Sequence, residues 1–456
     1  MRIYKPRISV SLNKVKNDSF GGGGFLRNLE RGGSIDLTPF MGLGGSVHTS
    51  KSINEPAGTF SISFPDKMSE EHSDSVYGLV EPMDQIEIRI AHDHQSAELP
   101  IIMRGFVSSI SRSETIGGDG KPSRKVNVVG QDYGKILQII QIIYLNNSVI
   151  GDNIISGFKM LQKYGVDASA NPPIQDFVRD VFTEIVDKFV GNITDTMQII
   201  PQVSAEGRVR GRVINDFEGG SLDSLLRQVS DVSPRFNEMF IRDGEDQVDF
   251  ILRPTPFRDL DGAQIQGEKP EEITIPRSDI LSRNVIRTDS SVANLFWVRA
   301  LGSPLMTDKM MRLNRQIRPI TDENADPAVY GVRQLEAVTN LMPPDSEPYD
   351  KLTLEKQGEF EDSGMKWQKL RSDLLRDVSK DSVVFESGTM RLRGNENLQI
   401  GKTIMVDGGE SEAYLLSVDH EYNMYQSYFT NVSFERGTGF IVRNDRSAPY
   451  LEEMSS

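Results

Sequence analysis

The sequence predicts an α+β chain, mainly β, with helical and mixed segments set between two β-rich ends. Apolar and polar residues alternate at period two in stretches such as Phe60-Ser61-Ile62-Ser63-Phe64 and Ile86-Glu87-Ile88-Arg89-Ile90, which is the pattern of strands with one buried face. In the middle of the chain apolar residues recur instead at three- and four-residue steps, the spacing of an amphipathic helix. The 39 glycines and 22 prolines supply many turns, and 456 residues exceed what one core can organise, so about two to four domains are expected.

The elements follow in order. Ile8, Val10 and Leu12 alternate with polar neighbours and no apolar run follows, so the N-terminus reads as a strand and not as a signal peptide. Gly21 to Gly24 breaks regular structure and reads as a loop. Segments 104–113 and 124–130 read as the two arms of a hairpin, with Gly117-Gly118-Asp119-Gly120 as its polar tip. From about residue 135 to 235 the period changes: Ile174, Phe177, Val178, Val181, Phe182, Ile185 and Phe189 form a helical stripe that Pro172-Pro173 can start. Ser221 can cap a second helix that buries Leu222, Leu225, Leu226 and Val229. Strands are expected at 247–252, 272–275 and 294–300, then a polar region at 322–347 and a helix at 352–378 carrying Trp367, Leu370, Leu374 and Leu375. The last strands are expected at 403–406, 413–423 and 428–435, with a polar tail beyond Arg446.

Composition narrows the function. The chain has no cysteine, which removes disulfides, thiolate nucleophiles and cysteine-based zinc sites and suits assembly in a reducing cytoplasm. The most apolar stretch, 136–150, is interrupted by Gln138, Gln141, Asn146 and Asn147 and falls short of the roughly 20 residues a membrane span needs. A net charge of -15 argues against nucleic-acid binding, which needs clustered Lys and Arg. Solubility is the plain meaning of that charge; an acidic lining for a passage through which DNA slides is the sharper one.

The sequence offers no constellation of catalytic or metal-binding residues. His92-Asp93-His94 lacks a third ligand at obvious spacing, and solvated turn residues are the simpler reading. Gly401-Lys402-Thr403 resembles the end of a P-loop, but Glu396 stands where the first glycine is required and Ile404-Met405-Val406 continues as a strand. Asp259-Leu260-Asp261-Gly262 lacks the glutamate that completes a calcium loop. No serine sits in a Gly-x-Ser-x-Gly elbow, and no two carboxylates stand out as a pair. No catalytic residue, cofactor or metal is therefore expected.

Two distant segments share one plan. Segment 83–88 leads to 104–110, a turn and 125–130; segment 400–406 leads to 414–418, a turn and 429–437. If the repeat is real, one chain brings two similar barrels to a ring and doubles its symmetry.

Particular residues carry a family resemblance. Pro56-Ala57-Gly58-Thr59-Phe60-Ser61-Ile62, Val80-Glu81-Pro82-Met83-Asp84, Met103-Arg104-Gly105-Phe106-Val107, the Gly117–Gly120 tip and Gly130-Gln131-Asp132-Tyr133-Gly134 resemble the phage late-control-D and contractile-tail baseplate hub family. So does the C-terminal run through Gly401, Tyr414, His420-Glu421-Tyr422 and Arg436-Gly437. The resemblance implies two tube-like antiparallel β-barrels per chain: a first barrel at 1–135, a helical or mixed insertion at 136–235, a β-rich segment at 236–300 contributing to the second half, a polar linker and helix at 301–380, closing strands at 381–440 and a flexible tail at 441–456.

It also implies a homotrimeric adaptor between a hexameric tail tube and a trimeric spike, placed in the virion tail baseplate and assembled in host cytoplasm. The expected partners are other copies of the chain, the tube or a tube-terminating protein, and the central spike, with tape measure and wedge proteins as further neighbours; DNA passes without specific binding and no membrane is involved. Gly58, Gly105 and Gly130 are expected to relieve crowding, Phe60 and Phe106 to fill barrel interiors, and the 117–120 tip to touch a neighbour. The alternatives are a tail-associated peptidoglycan or polysaccharide hydrolase and, with only two Trp to offer, a carbohydrate- or receptor-binding tip.

Overall fold

A computed structural model describes residues 6–15, 33–68, 74–93, 99–116, 122–142, 171–194, 197–210, 220–233, 235–300, 325–344, 354–406 and 411–438. The Gly21–Gly24 loop, His94, the Gly117–Gly120 tip and the tail at 441–456 lie outside them. No helix among the described residues is long and apolar enough to cross a membrane.

The first β unit consists of β1 (Arg7–Asn13), β2 (Ser34–Asp36), β3 (Ser46–Ser52), β4 (Thr59–Pro65), β5 (Gln85–Ala91), β6 (Ile101–Ile116) and β7 (Pro122–Asp132). Their inward residues, Val10 and Leu12 on β1 through Val47 on β3, share one core with Phe60, Ile62, Phe64, Ile86, Ile88, Val126 and Val128. Strands that are distant in the sheet order touch the same core, as happens when a sheet curls on itself. Phe60 is 1 % exposed, and burial of such a side chain contributes roughly 2–3 kcal/mol.

The middle of the chain forms a separate core. α1 (Gly134–Ile139), α2 (Ile174–Val181, continuing through Phe182–Val186 into Asp187–Gly191) and α3 (Leu222–Val229) pack against β8 (Ile199–Val203), β9 (Asn237–Asp243) and β10 (Val248–Pro254). The stripe read in the sequence is the buried face of α2: Ile174, Phe177, Val178 and Val181 are all 0 % exposed. Ser221 caps α3, its Oγ accepting from Ser224 N at 3.2 Å.

The second β unit consists of β11 (Glu272–Ile275), β12 (Ile280–Ile286), β15 (Glu386–Arg393), β16 (Thr403–Val406), β17 (Ser411–Asn423) and β18 (Ser427–Gly437). Between β12 and β15 come β13 (Leu295–Ala300), its parallel partner β14 (Gln334–Thr339) and α4 (Leu354–Ser379), whose Leu375 packs with Phe236, Phe296 and Val298.

The sequence repeat is present and extends to six strands. β3-β4-β7-β6-β5-β1 and β12-β15-β18-β17-β16-β11 run in the same order. β6 slips register against β7 between Val107 and Ser109, and β17 slips against β18 between Leu415 and Ser417. At each bulge the same backbone bonds recur, Met83 N to Val107 O with Val107 N to Asp84 O, and Gly401 N to Leu415 O with Leu415 N to Lys402 O. Met83 and Gly401 even share a left-handed backbone, φ 72 and 75. Phe60 lies opposite Gly130 on β7, and at the corresponding place Gly388 lies opposite Phe434. A Cβ on Gly130 would sit 2.2 Å from the Phe60 ring, so each copy holds one bulky and one bare residue with the strands exchanged. The copies differ at one edge, since β1 runs antiparallel to β5 whereas β11 runs parallel to β16.

The two units are not independent. β17 pairs with β3 from Ser417–Ser52 to Asn423–Ser46, which makes one thirteen-stranded sheet with a central run β12-β15-β18-β17-β3-β4-β7-β6. Tyr422 and Tyr428 of the second unit pack in the core of the first.

Candidate functional site

Several of the residues singled out in the sequence meet the β9–β10 hairpin, at one place in each β unit. In the first unit, Lys51 Nζ lies 2.7 Å from Asp243 Oδ2 and 3.2 Å from Asp132 Oδ2. Gly58 is required beside this cluster because a Cβ there would stand 2.7 Å from Asp132 Oδ2. Arg104 donates to Glu87 at 2.6 Å and to the carbonyls of Gly244 and Glu245 at 2.5 and 2.8 Å. Asp132 Oδ1 also accepts from Gly134 N at 2.9 Å. Tyr133 OH accepts from Gln85 at 2.7 Å and, being buried, has its pKa raised.

Phe106 does not fill the barrel. It packs against Tyr133 at 4.8 Å in the core of the middle domain. Strand alternation explains the difference: Met103 and Val107 point into the barrel, so Arg104 and Phe106 point out of it, while Gly105 lies between them opposite Asp132.

In the second unit, Tyr414 occupies the place of Phe106. Its OH donates to Glu238 at 2.7 Å and accepts from Arg253 at 3.2 Å. Arg436 occupies the place of Asp132 and donates to the carbonyls of Val378 and Arg258 at 3.0 and 2.6 Å. Its guanidinium stands 4.2 Å from Phe385 and 4.6 Å from Phe257, and burial lowers its pKa to about 10. Gly437 ends β18 opposite Glu386. Lys51, Asp243, Glu238 and Arg253 carry no signal in the sequence, because their partners are set by tertiary packing across as many as 192 residues.

Each of these ionisable groups is held by buried partners. Burial, the largest cause, raises the carboxyls of Asp84, Asp132, Asp223 and Glu238, and Lys14, Lys51, Arg227 and Arg253 respectively oppose it. Lys51 and Asp243 line one small cavity together with His420, and Tyr414 and Arg436 line another. His92 Nδ1 lies 2.8 Å from Glu396, and no group of three or more metal-ligating side chains occurs among the described residues.

The outward face of the eight-strand run is the other feature. Ser427, Asn423, Ser46, Ser63, Asn127 and Ser111 follow one another across six strands, and Asn284, Thr389, Ser433, Ser417 and Ser52 form a second row. Its charges are few and of both signs: Lys125, Arg391 and Arg393 against Asp419 and Glu421, with Arg391 bonded to Glu421 at 3.0 Å. The signal was legible as hydroxyls at alternate positions, Ser46, Ser50 and Ser52 or Ser109, Ser111 and Ser113.

Under that face, at the junction of the units, lies His420. Its Nδ1 is 3.1 Å from Thr430 Oγ1 and 3.0 Å from Tyr428 OH, and burial drives its pKa down to about 3. The unfolded chain takes up this proton near pH 6.5 while the folded chain resists it, so the stability His420 contributes is lost as pH falls from about 6.5 toward 3. Between pH 7 and pH 4 the parent is expected to lose roughly 3 kcal/mol that His420→Gln does not. Urea unfolding of both at the two pH values reads the difference; equal losses would refute the assignment.

Neither a known family profile nor any curated protein matches the chain. Solved structures are similar in fold. A tail protein from Neisseria meningitidis aligns with TM-score 0.43 and 11 % identity over 95 % of this chain and 97 % of its own. The 43 kDa tail protein of prophage MuSo2 from Shewanella oneidensis aligns with TM-score 0.49 and 12 % identity, covering 94 % of this chain and 98 % of its own. The phage P2 baseplate in its activated conformation aligns with TM-score 0.31 and 8 % identity over 94 % and 99 %. At these TM-scores the likenesses carry no argument about function.

Proposed function

We propose that the chain is a structural, non-enzymatic subunit of a contractile phage tail, the baseplate hub that joins tube to spike as a homotrimer. The observation that carries this reading is the duplication: two copies of one six-strand unit are joined edge to edge in a single sheet. Three such chains present six similar units to a hexameric tube while keeping threefold symmetry toward a spike. The motifs shared with the late-control-D and tail-hub family support it.

On this reading the hydroxyl- and amide-rich face lines the passage for DNA and tape measure during ejection. The net charge of -15 does not collect there, so the lining is neutral and not the acidic one expected from composition. The few basic side chains of this lining stand among Asp419 and Glu421, and Arg391 is held by Glu421 at 3.0 Å, so it lacks the clustered Lys and Arg that hold phosphate.

Light scattering tests the assembly. The purified chain, alone or mixed with its tube and spike neighbours, is expected at three times 51.0 kDa or as a complex containing three copies. A persistent monomer that binds neither neighbour would overturn the reading.

A further inference from the structure

Duplication leaves two strand edges open, and one fits the other. Within the chain, β17 first pairs with β16 and then, past its bulge, with β3. Its counterpart β6 first pairs with β5 and then, past the equivalent bulge, keeps β7 on one side and no strand on the other, among the described residues. β12, the counterpart of β3, likewise pairs only with β15 among the described residues. Each open edge presents backbone donors and acceptors in strand geometry. Each also exposes apolar side chains, Ile116 at 76 % on β6 and Leu281 and Ile286 at 48 % and 49 % on β12.

We propose that β6 of one copy pairs antiparallel with β12 of a second copy, repeating between chains the β17–β3 junction made within each chain. The proposal rests on the tail-hub reading in one respect, that copies of the chain assemble, and it names the surface through which they do so. Because the two edges differ, the contact is head-to-tail and its repetition closes a ring or extends a filament. The polar face continues across it.

The internal junction dictates the register. Asp419 faces Ser50 and Glu421 faces His48. Carried through the equivalent bulges of β6 and β17 and the equivalent ladders β3–β4 and β12–β15, these become Ser111 opposite Ile286 and Ser113 opposite Asn284. Glu114 then falls opposite Arg283, a pair of opposite charge, and Ile116 arrives beside Leu281. Arg283 keeps its bond to Ser411 at 3.0 Å, made within its own chain.

The native chain has no cysteine, so engineered pairs report contact without background. In the internal junction Ile53 N bonds Leu416 O and Met424 N bonds Gly45 O, which places Glu421–His48 between ladder bonds. The corresponding pair should therefore bring its Cα atoms to about 4.5 Å, within disulfide reach. The full-length S113C/N284C chain is to be mildly oxidised and run on a non-reducing gel, with S109C/N284C, four residues out of register, as control. Covalent dimers and trimers are expected at least tenfold more abundantly from the first. Glu114→Pro removes an N–H that this register directs at the partner, leaves the β6–β7 backbone ladder in place while losing the exposed Glu114–Arg124 ion pair, and is expected to abolish assembly while the chain stays folded by circular dichroism.

A mass of three chains with no linking from S113C/N284C, or with Glu114→Pro assembling normally, overturns the edge pairing and leaves the hub standing. Single chains, even with tube and spike present, overturn both.

Discussion

Replacing Lys51 with methionine is expected to destabilise the protein by about 3–5 kcal/mol at neutral pH, because it leaves two carboxylates buried with no cation between them. Asp132 and Asp243 have side chains only 2 % and 3 % exposed, and Lys51 Nζ is the charge that bridges them. Burial opposes the ammonium, but Asp243 and Asp132 outweigh it and the Lys51 pKa is raised. Burial and the neighbouring Asp243 raise the Asp132 carboxyl even with Lys51 present, and without the lysine that carboxyl rises further. A group whose folded pKa lies above its unfolded one loses its contribution as pH climbs through the folded value. The penalty of Lys51→Met should therefore be smaller at pH 5 than at pH 8. Urea unfolding followed by circular dichroism measures both, and K51M/D132N/D243N should recover most of the loss. A penalty under 1 kcal/mol at pH 8 would show that the cluster does not clamp the first unit to the β9–β10 hairpin.

Asp231→Ala is expected to cost a similar amount, about 3–5 kcal/mol, in a different part of the molecule. Asp231 Oδ2 accepts from Thr339 at 2.6 Å and from Arg371 at 2.9 Å, while Oδ1 accepts from Asn340 N at 2.5 Å. Its side chain is 0 % exposed, and its φ of 52 is a left-handed conformation that aspartate tolerates better than most residues. Arg371, on α4, lies 3.7 Å over the Phe236 ring; its pKa is lowered by burial against the pull of Asp231. Removing the carboxylate strands that guanidinium in an apolar setting. Trp367 stands 5.5 Å from Arg371 and is one of only two tryptophans, so its fluorescence reports the release of α4. Replacing both partners, as Asp231→Leu with Arg371→Met, should lose less than either single change; if the double variant is the worse, the pair is more than a satisfied buried ion pair.

Much of the local structure was legible because it depends on spacing. The helix over Ile174 and Phe177, the Ser221 cap, and the strands at 403–406 and 272–275 appear where periodicity and capping chemistry put them. Strands β12 and β14 carry little sequence signal, since Ile280–Ile286 and Gln334–Thr339 bury little on either face and alternate weakly. The placement of Phe106 was misread for a related reason: a pleat exposes two faces, and only the packing of neighbours says which face is the barrel interior.

The sequence by itself determined most element types and the turn-rich mainly β class, because backbone propensity and one-sided burial act over a few residues, and it suggested a repeat that strand pairing then established. Tertiary structure alone decided that the two units merge at β17–β3, that Arg104 and Tyr414 meet one central hairpin, and that the outward face carries few charges, of both signs. Those outcomes depend on which strand edges and charges meet across long separations, 377 residues in the case of Ser46 and Asn423, and no local pattern encodes such a meeting.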